Sequence, residues 1–219
     1  MNLRNTTAWL LILGPILLLV GGLVFGPGVN SADEWKDTAG LLKALGENNS
    51  LQGISAIVTS LGVIGILIAF IGIKDSMKGN TSECYMKCGI LIFLLSMPGQ
   101  AAEQGLHAAA AEAAALPGGA GMATGATLIA TASGIGAIST VIFFIGIALI
   151  GIAILIQKNY LAVSALNIIV GIAFTAAGVL GIIAIAGIDY ISTLTFVSWT
   201  LFIATTLLTG IFTLVLKKK

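Results

Sequence analysis

Four polar residues, Gln100, Glu103, Gln104 and His107, interrupt an apolar stretch at intervals of three and four. At i, i+3, i+4 and i+7 they share one face of a helix. A carboxylate and an imidazole one turn apart can hydrogen-bond, hold a proton, or offer two ligands to a metal. A metal site needs three or four ligands, so the others would have to come from Glu112, Asp33 or Asp37, and nothing in the spacing requires that. The plainer alternative is a solvated polar stripe with a simple Glu–His pair. The four residues are therefore a candidate polar or ligand site, with no metal and no cofactor assigned. Just before them, Pro98 and Gly99 are expected to kink the helix, because proline removes one backbone hydrogen bond and clashes with the preceding turn.

Little else in the chain carries chemistry. Cys84 and Cys88 lie four apart, the wrong spacing for a redox C-x-x-C pair, and read as free structural thiols, with S-acylation as the alternative. The single histidine, His107, rules out a bis-His haem within the chain. There is no mid-membrane lysine for a retinal and no pair of outer cysteines of the claudin type. No nucleophile–base pair, HExxH motif, phosphate-cradling glycine loop or paired intramembrane carboxylate occurs. An enzyme is not expected.

The elements that must position the polar face are apolar throughout. Of 219 residues 58% are hydrophobic and 9% charged, whereas a soluble domain carries about 25% charged residues to solvate its surface. Lipid must therefore cover much of this chain, and one bundle suits the length. A net charge of +1 gives no electrostatic case for nucleic acid. About 20 apolar residues cross a bilayer core, and runs of that kind fall at 7–25, 54–73, 85–102, 134–156, 161–185 and 194–216. The expected fold is an all-α, polytopic membrane bundle of six transmembrane helices. The first run is longer than a signal-peptide core and lacks a good cleavage pattern, so it reads as a retained helix.

Basic residues stay on the cytoplasmic side. Arg4, Lys74, Lys78, Lys87, Lys158 and Lys217–Lys219 mark one side, and Asp33, Glu34, Asp37, Glu47, Glu103, Glu112 and Asp189 the other, with Lys36 and Lys43 as exceptions. Both termini are thus expected in the cytoplasm. Gly21, Gly62, Gly65, Gly72, Gly146, Gly151, Gly171, Gly178 and Gly181 punctuate the spans and read as close helix contacts, within the bundle or with other subunits and copies, in preference to a substrate path. Residues 53–73 and 134–154 match at ten of twenty-one positions, including Thr59/Thr140 and two Ile-Gly-Ile triplets. Either an old parallel duplication or low complexity accounts for that.

Two outer connections carry structure of their own. Ser31 and Glu34 have capping-box spacing ahead of Trp35, Thr38, Leu42 and Leu45, which predicts an amphipathic helix over 31–46. It either lies in the interface or packs on the bundle. The alanine-rich run after His107 has high helix propensity and stops at Pro117-Gly118-Gly119. Spans three and four are therefore expected to extend outward as a helical hairpin over 103–133, with a flexible point at Ser133–Gly136. Asn167, inside the fifth span, is expected to hydrogen-bond a neighbouring helix.

Few ionisable groups lie inside the spans, and ion-coupled pumps usually keep some there. The expected function is a non-catalytic scaffold or accessory subunit of a membrane complex. The alternative is a small transporter or channel with a polar outer mouth at Glu103 and His107. The general plan resembles that of small multi-span proteins of prokaryotic cell membranes, and no motif narrows it to a family.

Overall fold

The computed structural model describes residues 3–24, 37–77, 81–157, 160–187 and 193–216. The Ser31–Glu34 cap, Trp35, Lys78, Lys158, Asp189 and the final lysines lie outside the described residues. What is described is all-helical: α1 (Leu3–Leu19) prolonged by a π-helical turn (Val20–Val24), α2 (Thr38–Glu47), α3 (Asn49–Asp75), α4 (Thr81–Ala114), a 3₁₀ turn (Pro117–Gly119), α5 (Met122–Gln157), α6 (Ser164–Gly187) and α7 (Thr193–Val215). All but α2 are long and apolar enough to cross a membrane. The protein is a multi-pass helical membrane bundle.

The six spans close into a ring in chain order. Each packs on the next, and α7 returns to α1. One end of the bundle carries α2 and the α4–α5 hairpin; the other carries both termini. Two seams show why small residues are placed where they are. A Cβ on Gly146 of α5 would lie 2.9 Å from the carbonyl oxygen of Gly89 on α4, and one on Gly89 would lie 2.8 Å from that of Gly146. Between α1 and α3, a Cβ on Gly62 would lie 2.7 Å from the carbonyl oxygen of Gly14. Backbones this close gain dispersion contact along the whole crossing, which is what holds helices together where lipid is as apolar as the side chains. The glycines serve packing.

The hairpin forms as the sequence suggests. α4 runs to Ala114, Gly119 turns the chain at φ +72, and α5 begins at Met122. One expectation fails here. The helix passes through Ser133–Gly136 without a break, because this stretch lies along α4 and buries Gly136 and Ser139. Of the two readings of the amphipathic segment, α2 takes the second and packs on the bundle. Leu41, Leu42 and Leu45 are buried against Ala110, Ala111 and Ile129 of the hairpin. Its described N-cap is Asp37, whose Oδ1 accepts from the Gly40 N–H at 3.1 Å, satisfying an amide that helix geometry leaves free.

The terminal end is tied shut. Arg4 donates to the Leu216 carbonyl at 2.6 Å, placing a cation at the negative end of α7. Ser82 at the start of α4 donates to Gln157 at the end of α5, at 2.6 Å. Tyr160, in the α5–α6 turn, meets Thr213 of α7 at 3.2 Å; burial raises its phenol above the ordinary tyrosine range. Asn167 makes bonds that the sequence reading did not foresee. It folds back on the turn before its own helix, accepting from Leu161 N–H at 2.7 Å and donating to the Leu161 and Val163 carbonyls. That turn has no helical ladder of its own, so its backbone groups need the amide.

At mid-span an aromatic layer crosses the ring. Phe143 of α5 lies at its centre, 4.9 Å from Phe93 of α4, 5.0 Å from Phe202 of α7 and stacked at 4.8 Å on Trp199 of α7. Phe70 of α3 joins through Phe93 and Phe174 of α6. All these phenylalanines are fully buried. From the layer to the terminal end the interior is filled by Ile73, Met77, Met86, Ile147, Ile150 and Ile154.

Candidate functional site

Above the aromatic layer, in the half nearer α2, the ring holds an open-sided cavity of about 840 Å³. α4 gives it one wall: Gln100, Glu103, Gln104 and His107 all face it, together with Pro98 and Ala101. The four residues predicted to share a face are thus brought to one site. Opposite them α3 presents Gln52, Ser55, Thr59 and Ser60; α5 adds Ser133 and Thr140, and α7 adds Thr195 and Trp199. Thr59 and Thr140, which correspond in the internal sequence echo, both reach it. Leu45 of α2 closes the top, and Trp199, stacked on Phe143, forms the floor.

The polar groups in this wall are not left over from a solvated surface. Glu103 is only 9% exposed and Gln52 only 6%. Glu103, His107, Gln52 and Thr195 are each engaged by a neighbouring group. Ser55 donates across to the Gly21 carbonyl at 2.8 Å, in the π-helical turn that ends α1. Such turns loosen the helical ladder and offer carbonyls to other partners. Gln100 differs: its Nε2 is buried and has no hydrogen-bond partner. Leaving a buried amide donor unpaired costs about 1–3 kcal/mol, which an acceptor inside the cavity would recover. Pro98 adds a matching deficit. It has no N–H for the Leu94 carbonyl, and Leu94 and Pro98 both border the cavity. α4 nonetheless continues as a helix through Pro98 and Gly99, and Gly99 sits against Ser139 of α5.

The cavity reaches the flank of the bundle between α3 and α4. These two make the slimmest of the six seams, closed at mid-span by Phe70 and Phe93. Ile64, Leu94 and Leu95 border the cavity and are 40%, 49% and 70% exposed. The lining is thus mostly apolar with a polar group of side chains at one end, the composition of small-molecule sites of 300–1,000 Å³ in general.

The sequence pattern did not find the α3, α5 and α7 contributions. Gln52, Ser55, Thr59 and Ser60 at intervals of three, four and one were the available signal, a polar face on a span otherwise made of Ile, Val, Leu and Gly. No metal set assembles. Among the described residues no three His, Cys, Asp or Glu side chains converge; Glu112 and Asp37 are exposed away from the cavity, and Asp33 lies outside the described residues. Cys84 and Cys88 are exposed free thiols near the terminal end of α4. Compared with known proteins, the chain matches no family model, no curated protein and no solved structure at a significant level.

Proposed function

We propose that this protein is a small membrane carrier that takes up one amphipathic molecule in the cavity between α3, α4, α5 and α7. The observation that carries the reading is the division of the bundle into halves. A site of about 840 Å³ with a polar end lies above the aromatic layer, and a core of buried apolar side chains lies below it. An open channel needs a continuous path, whereas a carrier in one of its states is closed on one side of its site. The scaffold or accessory-subunit reading has no use for such a cavity, or for an unpartnered amide donor buried in its wall.

The orientation belongs to the same proposal. With the basic residues inside, the terminal end faces the cytoplasm and the cavity end faces out. Cys84 and Cys88, both exposed, report on the terminal end. A cysteine introduced by Leu116→Cys, at a tip position 52% exposed, reports on the other once the native pair is replaced by serine. An impermeant maleimide added to intact cells is expected to label the Leu116→Cys chain and to leave the native pair untouched until the membrane is opened. Labelling of the native pair in intact cells would reverse the orientation.

The carrier reading is tested by native mass spectrometry of the protein extracted from its own membrane in mild detergent. A non-lipid adduct of a few hundred daltons is expected on the wild type and not on Ala101→Trp. Ala101 borders the cavity and is exposed, so the added ring fills space without overpacking the core. Stoichiometric partner subunits with no adduct would instead support the accessory-subunit class.

A further inference from the structure

We infer that the cavity is filled sideways from the bilayer, through the α3–α4 seam, by a single-chain lipid with a hydroxyl or carbonyl head; this names the ligand of the carrier reading above and rests on it. Two exposed stripes carry the route. On α3, Ile64, Ile68 and Ile71 follow one another at intervals of four and three, each at least 40% exposed. On α4, the exposed Cys88, Leu91 and Leu95 follow at intervals of three and four. Residues so spaced lie along one helix face. Ile68, Ile71, Cys88 and Leu91 do not border the cavity, so their exposure marks the outer surface of the bundle. Ile64 and Leu95 continue that surface and border the cavity as well. The cavity wall therefore ends at the outer surface on both sides of the seam, with Phe70 and Phe93 closing the seam below it. Along such apolar spans the outer surface meets acyl chains.

The polarity of the wall runs the same way as that of one bilayer leaflet. On α4, Leu94 and Leu95 stand below, and Gln100 lies about 9 Å beyond Leu94 toward the α2 end by helical rise. On α3, Val63 and Ile64 stand below, and Ser55 and Gln52 toward the same end. A lipid sliding in from the leaflet keeps its chain among apolar residues and its head among polar ones, with no need to turn over. The volume of about 840 Å³ takes one chain or a few rings and is too small for a whole two-chain phospholipid. Gln100 selects the head, because its buried Nε2 has no acceptor. A hydroxyl or carbonyl oxygen supplies one and recovers the cost of the unpaired donor, which a bare hydrocarbon cannot do.

The experiment uses the full chain in lipid nanodiscs, with tryptophan as reporter and bromine on an acyl chain as a quencher that acts on contact. In the first arm Trp9, Trp35 and Trp199 are replaced by phenylalanine, Leu95→Trp supplies the one indole, and the discs are made of phosphatidylcholine brominated at mid-chain. Quenching is expected within twofold of that of Leu91→Trp in the same background, a position 59% exposed and clear of the cavity. In the second arm Trp199 is kept, the discs are unbrominated, and a monoacylglycerol brominated at mid-chain is titrated against a brominated alkane of the same length. The monoacylglycerol is expected to quench Trp199 saturably, at least tenfold more tightly than the alkane. Gln100→Leu should weaken the monoacylglycerol at least fivefold and leave the alkane within twofold, and Ala101→Phe should block both. An unquenched Leu95→Trp, with Trp199 still saturably quenched, would overturn entry through the seam. Equal affinity for the two probes, or an equal effect of Gln100→Leu on both, would overturn the choice of head. Absence of any Trp199 quenching that Ala101→Phe blocks would overturn the lipid ligand itself. The carrier reading then stands or falls separately, on the adduct that Ala101→Trp removes.

Discussion

Gly146→Leu is expected to prevent the bundle from assembling, with loss of the monodisperse species in detergent and of any cooperative thermal transition. The reason is the crossing of α4 and α5. The first atom of any side chain at Gly146 would lie 2.9 Å from the Gly89 carbonyl oxygen, 2.9 Å from the Phe93 amide nitrogen and 3.2 Å from the Phe93 Cα. All three are backbone atoms, so no rotamer change relieves the contact. Ordinary overpacking costs roughly 1–3 kcal/mol because flexible side chains move aside; here the two helices must separate. That separation would pull Phe93 away from Phe143 and open the aromatic layer. A matched pair of alanine substitutions gives the control. Gly146→Ala should already lower the melting temperature by several degrees. Gly134→Ala, in the same helix with nothing within 4 Å of the new Cβ, should be neutral or stabilising by up to about 1 kcal/mol from helix propensity. If the two alanine variants melt alike, close backbone approach is not what holds α4 to α5.

That contrast also bears on what a single sequence reveals. Gly134 and Gly146 sit twelve residues apart in one apolar run, and composition treats them identically. Only the position of α4 distinguishes the glycine in contact from the glycine in open space. The six apolar runs were legible because bilayer thickness imposes a length on each, and the hairpin was legible because Pro117-Gly118-Gly119 stops a strong helix former. The flexible point read at Ser133–Gly136 was an inference from local propensity, which packing along α4 overrides. Asn167 was assigned to a neighbouring helix because an amide in hydrocarbon needs partners; its partners are the turn six residues back, since an irregular turn has free backbone groups of its own. For the site, the helical period puts Gln100, Glu103, Gln104 and His107 on one face, a local relation, and all four border the cavity. The cavity they border depends on α3, α5 and α7 diverging above one layer and meeting at it, and no local pattern encodes where separate helices meet. The layer itself draws on five helices, each contributing one or two aromatic residues that read in sequence as ordinary apolar positions.

Phe143→Ala is the second large effect to expect, and it tests whether that layer is the structural floor of the cavity. The Phe143 ring meets four others, at 4.9 Å to Phe93, 5.2 Å to Phe144, 5.0 Å to Phe202 and 4.8 Å to Trp199. Among the described residues no other ring of the layer touches more. Its removal leaves a void bounded by the fully buried Phe93, Phe144 and Phe202 and the half-buried Trp199, and loss of a buried phenylalanine costs about 3 kcal/mol even at the lower end of the measured range. The lower end applies because lipid supplies no hydrophobic driving force here, so the loss is packing alone. Stability should fall by that amount in unfolding of the detergent-solubilised protein. Trp199, which is stacked on Phe143 at an interplanar angle of 20° and also borders the cavity, should lose the near-ultraviolet dichroism that its fixed neighbour confers. The signal is cleanest with Trp9 and Trp35 replaced by phenylalanine. Phe196→Ala is the proper comparison: its ring also borders the cavity from α7 but is 36% exposed, and its removal should change stability by less than about 1 kcal/mol. A carrier has to open this floor at some point in its cycle, so the layer must be both well packed and made of rings that can slide past one another. Edge-to-face pairs contribute roughly 0.5–1.5 kcal/mol each beyond area burial, a scale on which several contacts can break together without unfolding the helices that carry them. Equal losses for Phe143→Ala and Phe196→Ala, with the Trp199 dichroism intact, would mean that the floor is held elsewhere, by Ile147, Ile150 and the apolar core beneath it.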